Sequence, residues 1–327
     1  MTSMLNTGLQ PDPSQVNQVI QILKQSQSPD NAIQRQVREN IATLQANPEF
    51  NGYLAHVFAL SNQNIDASIR SSSGLILKNN CLHHFNTFAD SIKAIIIESI
   101  FKVIGDPYTL IRSTAASLIS CIVIADQFKC WLNCIYPNIL SNINSPIANE
   151  IKAEGSIIAI QRLLEDYDGN ISDNITMACA IELLYKCGQI FLHPDVNLRF
   201  AASDCFTTLL YNSVPLDETS LNDLFVISKD VDARIRKNVC KCLVMIVHRE
   251  VETLFPCFGN FIQYILDRIN DQDSEVAIEA CEVWSALAGQ PLGRDLIEPF
   301  IPNLAPLLLS KMKYSEDDPA LCEVSHQ

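Results

Sequence analysis

A short phrase returns along this chain at intervals near forty residues: a turn-forming Asp or Pro, an apolar residue, a charged or polar one, then an apolar run of helical period. It reads Asp30-Asn-Ala-Ile33-Gln34, Asp66-Ala-Ser-Ile69-Arg70, Asp106-Pro-Tyr-Thr-Leu-Ile111-Arg112, Glu150-Ile151-Lys152, Asp195-Val-Asn-Leu198-Arg199, Asp232-Ala-Arg-Ile235-Arg236 and Asp273-Ser-Glu-Val276-Ala277. The closing positions lie at 34, 70, 112, 152, 199, 236 and 277, with steps of 36, 42, 40, 47, 37 and 41 residues. That period fits stacked helical hairpins of the HEAT or armadillo type. A unit of this size cannot bury its own apolar face, so neighbours must stack and share a core. The spacing predicts an all-α solenoid, a right-handed superhelix of about seven or eight HEAT repeats, which binds partners along its surface.

Within a unit the pattern predicts two helices. After Asp232, the apolar residues Ile235, Val239, Leu243 and Ile246 share one face at spacings of 4, 4 and 3, while Arg234, Lys237 and Lys241 line another. Pro137, Pro256 and Pro302 are expected to start or bend the first helix of a hairpin. Loops are expected at Gly105-Asp106-Pro107, His193-Pro194-Asp195 and Asp271-Gln272-Asp273. No stretch is rich enough in Gly, Ser or Pro to divide the array. The expected organisation is a disordered segment at 1–14, a single HEAT array at 15–314 and an acidic, aperiodic tail at 315–327. The array shows no evident capping repeat at its end, which reads as a piece of a longer array or a chain that ends early.

The apolar fraction of 48% with only 10 glycines among 327 residues makes helix the default and supplies an ample core. A formal net charge of −14 argues against nucleic acid or an anionic membrane as partner, since both demand clustered Lys and Arg. Basic protein surfaces suit it better. Met1 to Gln10 shows no signal-peptide pattern, and the longest apolar run, Ser117 to Ala125, is too short to span a bilayer. Twelve cysteines sit inside apolar helical phrases, as at Cys205, Cys240, Cys242 and Cys281, and are expected as buried free thiols.

The sequence offers little for catalysis and no cofactor is expected. It has no Gly-rich phosphate loop, His-Glu-x-x-His or nucleophile elbow. Cys130 and Cys134 share a helix face without further metal ligands at zinc-site spacing, and His83-His84 point about 100° apart. Asp166-x-Asp168-Gly169-Asn170 lacks the spacing and closing Glu of a calcium loop, and the sequons at Asn170 and Asn174 have meaning only in a secreted chain. Trp131 and Trp284 are expected in the core.

Several short runs, in order and at repeat-compatible spacing, carry a family resemblance. They are Leu23-Lys-Gln-Ser-Gln-Ser-Pro-Asp30, Ser73-Gly-Leu-Ile-Leu-Lys-Asn-Asn80, Arg236-Lys-Asn-Val-Cys240 with Leu243-Val-Met245, and Asp271-Gln-Asp273. Further on come Glu279-Ala-Cys-Glu282 with Trp284, Gln290-Pro291 and Met312-Lys-Tyr-Ser315. Over residues 15–314 the chain resembles the importin-beta (karyopherin-beta) family of nuclear import receptors, in its transportin branch. It departs from the family's Trp-Pro at Trp131-Leu132, and matches loosely through 141–225.

The resemblance implies the N-terminal half of such a receptor, with an importin N-terminal-type region at roughly 15–110, binding the GTP-bound small GTPase Ran and performing no chemistry. It implies a monomer in cytoplasm and nucleus, associated with pores through phenylalanine-glycine nucleoporins, and carrying cargo with nuclear localisation signals only in a longer form. Two phrases carry over. Leu77-Lys78-Asn79-Asn80 matches a run that ends a second-repeat helix in the GTPase-contacting region, which makes Lys78, Asn79 and Asn80 candidate contacts. Leu164-Glu165-Asp166 matches an acidic phrase closing a fourth-repeat helix, which makes Glu165 and Asp166 candidates for meeting a basic GTPase surface. Independently of the resemblance, the ridge of Arg234, Lys237 and Lys241 is a candidate patch for an acidic partner. A HEAT scaffold of a cytosolic complex, like a phosphatase regulatory arm, is the competing reading, and the uneven repeat steps argue against it.

Overall fold

The computed structural model describes residues 11–60, 65–147, 149–167 and 177–311. The chain divides into two compact units, Met1–Ser220 and Leu221–Gln327, where the sequence suggested one undivided array. Repeats touch only their neighbours, so such a division needs no linker. The described residues are helical throughout, without a strand.

Five hairpins follow one another in the first unit. They are α1 (Pro13–Gln25) with α2 (Asn31–Leu44), α3 (Phe50–Ala59) with α4 (Ala67–His84), α5 (Asp90–Val103) with α6 (Thr109–Ala125), α7 (Tyr136–Ile143) with α8 (Glu150–Asp166), and α9 (Met177–Ile190) with α10 (Val196–Tyr211). The second helices stack in order, α4 on α6, α6 on α8 and α8 on α10. Helix α11 (Glu218–Ile227) leads into the second unit. There α12 (Ala233–Glu250) packs on α14 (Ser274–Ala288), which pairs with α13 (Phe258–Ile269) and is followed by α15 (Gly293–Ile297) and α16 (Ile301–Lys311). This is the HEAT-type arrangement that the period predicts. Helix α1 begins at Pro13, capped by Asp12, so order starts inside the segment expected to be disordered.

The repeated phrase has a physical cause at each end. Its opening Asp caps the second helix: Asp30, Asp66, Asp195, Asp232 and Asp273 each accept a hydrogen bond from a first-turn backbone N–H, at 2.7 to 2.9 Å. Each cap contributes about 1 kcal/mol. Its closing polar residue, one turn into the helix, turns back onto the loop before the cap. Gln34 Nε2 donates to the carbonyls of Ser26 and Ser28, Arg112 to those of Asp106 and Pro107, Arg199 to those of His193 and Pro194, and Arg236 to those of Asp230 and Val231, at 2.7 to 3.2 Å. Loop carbonyls with no helical partner are satisfied this way.

Three closing arginines, Arg70, Arg112 and Arg236, reach the next repeat. Arg70 Nη2 meets Asp106 Oδ2 at 2.5 Å with both side chains buried, Arg112 lies 3.3 Å from Glu154, and Arg236 meets Asp271 at 2.7 and 2.9 Å. One anchor does more than the sequence placed on it, and one falls elsewhere. Asp106 makes the expected turn, its Oδ1 accepting from the Tyr108 N–H at 3.0 Å, and its Oδ2 receives Arg70. In the fourth phrase the cap is Asn149, so the residue one turn in is Ala153 and Lys152 sits one position early. The helix there lies against the preceding loop. A Cβ on Gly155 would stand 1.9 Å from the Ile104 carbonyl oxygen, and one on Gly105 would stand 2.4 Å from Lys152 Cγ.

The core follows the predicted faces. Ile235, Val239, Leu243 and Ile246 are buried, as are Trp131, Trp284, Cys205, Cys240 and Cys242, while Cys281 is half-buried. Pro137 lies in the first turn of α7 and Pro256 inside a 3-10 turn. The calcium-like run beyond Tyr167, both sequons and the acidic tail lie outside the described residues.

Candidate functional site

The second helices of the first unit present a polar surface on which the two carried-over phrases meet. Helix α4 continues to His84, so Leu77-Lys78-Asn79-Asn80 lies a turn inside it and does not end it. Leu77 is buried, Lys78 is half-buried and Asn79 is exposed. Asn80 is held within the chain: its Nδ2 donates to Asn51 Oδ1 on α3 of its own hairpin at 2.8 Å, and its Oδ1 accepts from Gln45 of the preceding repeat at 3.2 Å. Of the three, Lys78 and Asn79 are the ones turned to solvent.

Leu164-Glu165-Asp166 ends α8 as expected, with Leu164 buried and both acids exposed. The two acids turn to opposite neighbours. Ser120 Oγ on α6 donates to Asp166 Oδ2 at 2.8 Å. Glu165 turns toward α10 through Gln161, whose Nε2 donates to Glu165 Oε1 at 3.0 Å and to Asp204 Oδ2 at 2.6 Å. Arg162 lies 3.3 Å from Glu165, with both side chains well exposed, so this pair contributes little.

Helix α6 lies between the phrases. Its Cys121 Sγ donates to the Lys78 carbonyl at 3.4 Å, and burial pushes the thiol up to about 11, with the Lys78 ammonium pulling it down and the Asp166 carboxylate pushing it further up. Lys78 and Asp166 thus flank one residue from opposite sides. The structure brings the second-repeat and fourth-repeat candidates onto one face, α4–α6–α8, with α10 adding Asp204.

Two residues on this face went unread in the sequence. Leu75 and Leu82 are 46% and 50% exposed, and with Asn79 they form one ridge at spacings of four and three. Leucines at helical spacing look like core, and only the position of the neighbouring helices shows that this pair faces out. The pair adds apolar area to an otherwise polar face.

The basic ridge of the second unit is different. Arg234 pairs with its own cap residue Asp232 at 2.7 Å, and Lys237 pairs with Glu275 of α14. Glu275, Glu279 and Glu282 recur at i, i+4 and i+7 on α14. The hydrogen bond to Glu275 and the charges of Glu275 and Glu279 hold the Lys237 ammonium above its usual range. Lys241 is half-buried, with no carboxylate within 4.0 Å among the described residues. Two of the three cations are therefore committed to their own chain. Cys130 precedes a single π-turn, Trp131–Ile135, that contains Cys134, and burial pushes Cys130 up to about 12, which keeps the thiol protonated and unreactive. Among the described residues, no three His, Cys, Asp or Glu side chains are grouped as metal ligands.

Residues 37–106 match the importin-beta N-terminal domain, which takes in α4 and α5. Mouse transportin-1 is 35% identical over 314 residues, covering 94% of this chain and 34% of the mouse protein. The chain thus spans about a third of the length of the curated relatives it matches. Among solved structures, yeast importin-beta (Kap95p) superposes with a TM-score of 0.78 at 17% identity, over 93% of this chain and 39% of Kap95p. Kap95 in its complex with Nup1 gives 0.74 at 16% identity, over 93% of this chain and 40% of Kap95. Kap121p bound to RanGTP gives 0.64 at 16% identity, over 94% of this chain and 31% of Kap121p. These likenesses show the fold to be that of the importin-beta HEAT solenoids, and the chain resembles transportin along nearly its whole length.

Proposed function

We propose that this transportin-like chain is the GTPase-binding part of a nuclear import receptor, which engages Ran-GTP on the α4–α6–α8 face and moves between cytoplasm and nucleus through pores. The observation that carries the reading is the meeting of both transportin-like phrases on one solvent-facing surface, Lys78 and Asn79 on α4 and Glu165 and Asp166 on α8, with the leucine ridge beside them. RanGTP is bound to Kap121p, and Nup1 to Kap95, in two of the structures that share this fold. Nucleoporins are accordingly proposed as second partners, with cargo bound only by a longer form. The work of such a protein is differential binding, so no catalytic group is required of it.

The test is the affinity of the chain for Ran carrying a non-hydrolysable GTP analogue and, separately, GDP. A preference of about a hundredfold for the GTP form, roughly 2.7 kcal/mol, is expected. Leu75→Ser with Leu82→Ser is expected to weaken binding by about tenfold or more without unfolding the chain, since both side chains are half in water already. Equal affinity for the two nucleotide states defeats the proposal.

A further inference from the structure

Apart from the buried and half-buried bridges Arg70–Asp106 and Arg112–Glu154, the two units place opposite charges on their exposed ridges differently. In the second, Lys237 of α12 reaches Glu275 on the adjacent α14 and the charges cancel. In the first, the cation and the anions sit two helices apart, and α6 between them carries no charged residue from Ser113 to Ala125. Packed helix axes lie about 8–10 Å apart, which puts α4 and α8 roughly 20 Å apart. Among the described residues, Lys78, Asp166 and Asp204 have no ion-pair partner within 4.0 Å, and the side-chain hydrogen bonds of Asp166 and Asp204 come from the neutral Ser120 and Gln161. Gln161 holds Glu165 and Asp204 side by side from two repeats; Arg162 lies 3.3 Å from Glu165, so Asp166 and Asp204 are the carboxylates left to form the negative pole at the α8–α10 end.

We infer that this face is bipolar and fixes the orientation of its partner: an acidic group docks against Lys78 between Leu75 and Leu82, and basic groups dock against Asp166 and Asp204. The inference rests on the Ran-GTP reading above and deepens it. Charges left uncancelled within the chain are available to a partner of complementary pattern, and steering by separated poles acts on the encounter more than on the final contact. A partner turned end for end would place like charges together at both poles.

The test is stopped-flow association of the full chain with Ran carrying a GTP analogue, from about 0.05 M to 0.5 M salt, where screening shortens several-fold. Lys78→Glu, and separately Asp166→Lys with Asp204→Lys, are each expected to slow association by about tenfold at low salt, with the loss fading at high salt. Lys78→Arg keeps the wild-type rate, and unchanged helical circular dichroism shows that the reversed variants fold. Association unaltered by either reversal, or slowed equally at every salt concentration, overturns the inference while leaving the GTPase reading intact. Failure of the wild-type chain to bind either nucleotide form overturns both.

Discussion

Gly155→Ala gives the sharpest test of how the repeats are held. In an isolated helix the change stabilises by about 1 kcal/mol. Here the new Cβ would stand 1.9 Å from the Ile104 carbonyl oxygen and 3.2 Å from its Cγ1, against an ordinary contact of 3.4 Å or more. The obstacle is backbone, so no rotamer relieves it, and α8 must back away from the α5–α6 loop by about 1.5 Å. A gap of that size forfeits at least half of the dispersion contact across it. Ile104, Ile157 and Ile160 are among the buried side chains of these two repeats. Overpacking costs about 1–3 kcal/mol, more when backbone must move, so the net expectation is a loss of about 2 kcal/mol. Gly259→Ala is the matched control: a Cβ there meets nothing within 4 Å, and a gain of about 0.5 kcal/mol is expected. The two units need not unfold in one transition, so urea unfolding by circular dichroism should be paired with hydrogen exchange of the α8 amides. An α8 as protected in Gly155→Ala as in the wild type refutes the reasoning.

Arg70→Met, which strands the buried Asp106 carboxylate, is expected to cost about 3–5 kcal/mol, and adding Asp106→Leu should recover much of it; a double variant no better than the single shows that the pair is not the cause. The Arg236 guanidinium holds the Asp271 carboxyl below its ordinary value of 3.8, so its contribution is complete above that pH and is lost as pH falls through the lower folded value. Asp271→Asn should therefore lower the urea midpoint at pH 7 and flatten its dependence on pH below about 4; a variant as acid-sensitive as the wild type contradicts this. Burial pushes the Cys81 and Cys121 thiols up, so a disulfide reagent at pH 8 should label them in the native chain only as fast as the chain opens, a rate that should rise steeply in urea.

The hairpin fold was legible because one short phrase does two jobs that repeat with the unit. The capping Asp and the closing Arg or Gln satisfy backbone groups at the same turn of each hairpin, and a requirement imposed by geometry leaves a mark at that geometry's period. What the phrase hid is equally physical. Asp106 reads as a turn residue and is one, yet nothing in the phrase shows that its second carboxylate oxygen also receives Arg70 from the preceding repeat. Lys152 looked like another closing cation because it is basic and sits near the right spacing. The Asn149 cap shifts the register by one, and the two glycines at 105 and 155 let the helix come close in place of a bridging side chain. A single residue's shift in a repeat whose steps vary from 36 to 47 is invisible to a period.

The candidate surface was legible only in pieces, because what distinguishes it is the spacing of helices and not the kind of residue. Lys78 and Lys237 occupy comparable faces of second helices, and only the resemblance sets Lys78 apart. The difference lies in what stands one helix further on. Beside α12 stands α14, where Glu275 pairs with Lys237 and Glu279 adds its charge; beside α4 stands α6, uncharged along its exposed side, so Lys78 keeps its charge for something outside the chain. Leu75 and Leu82 follow the same rule, since a leucine is core or contact according to whether the next repeat covers it. In a stacked array the neighbouring repeat therefore assigns the role of each surface side chain, which is why α6, whose one cation Arg112 is buried, sets the character of the face.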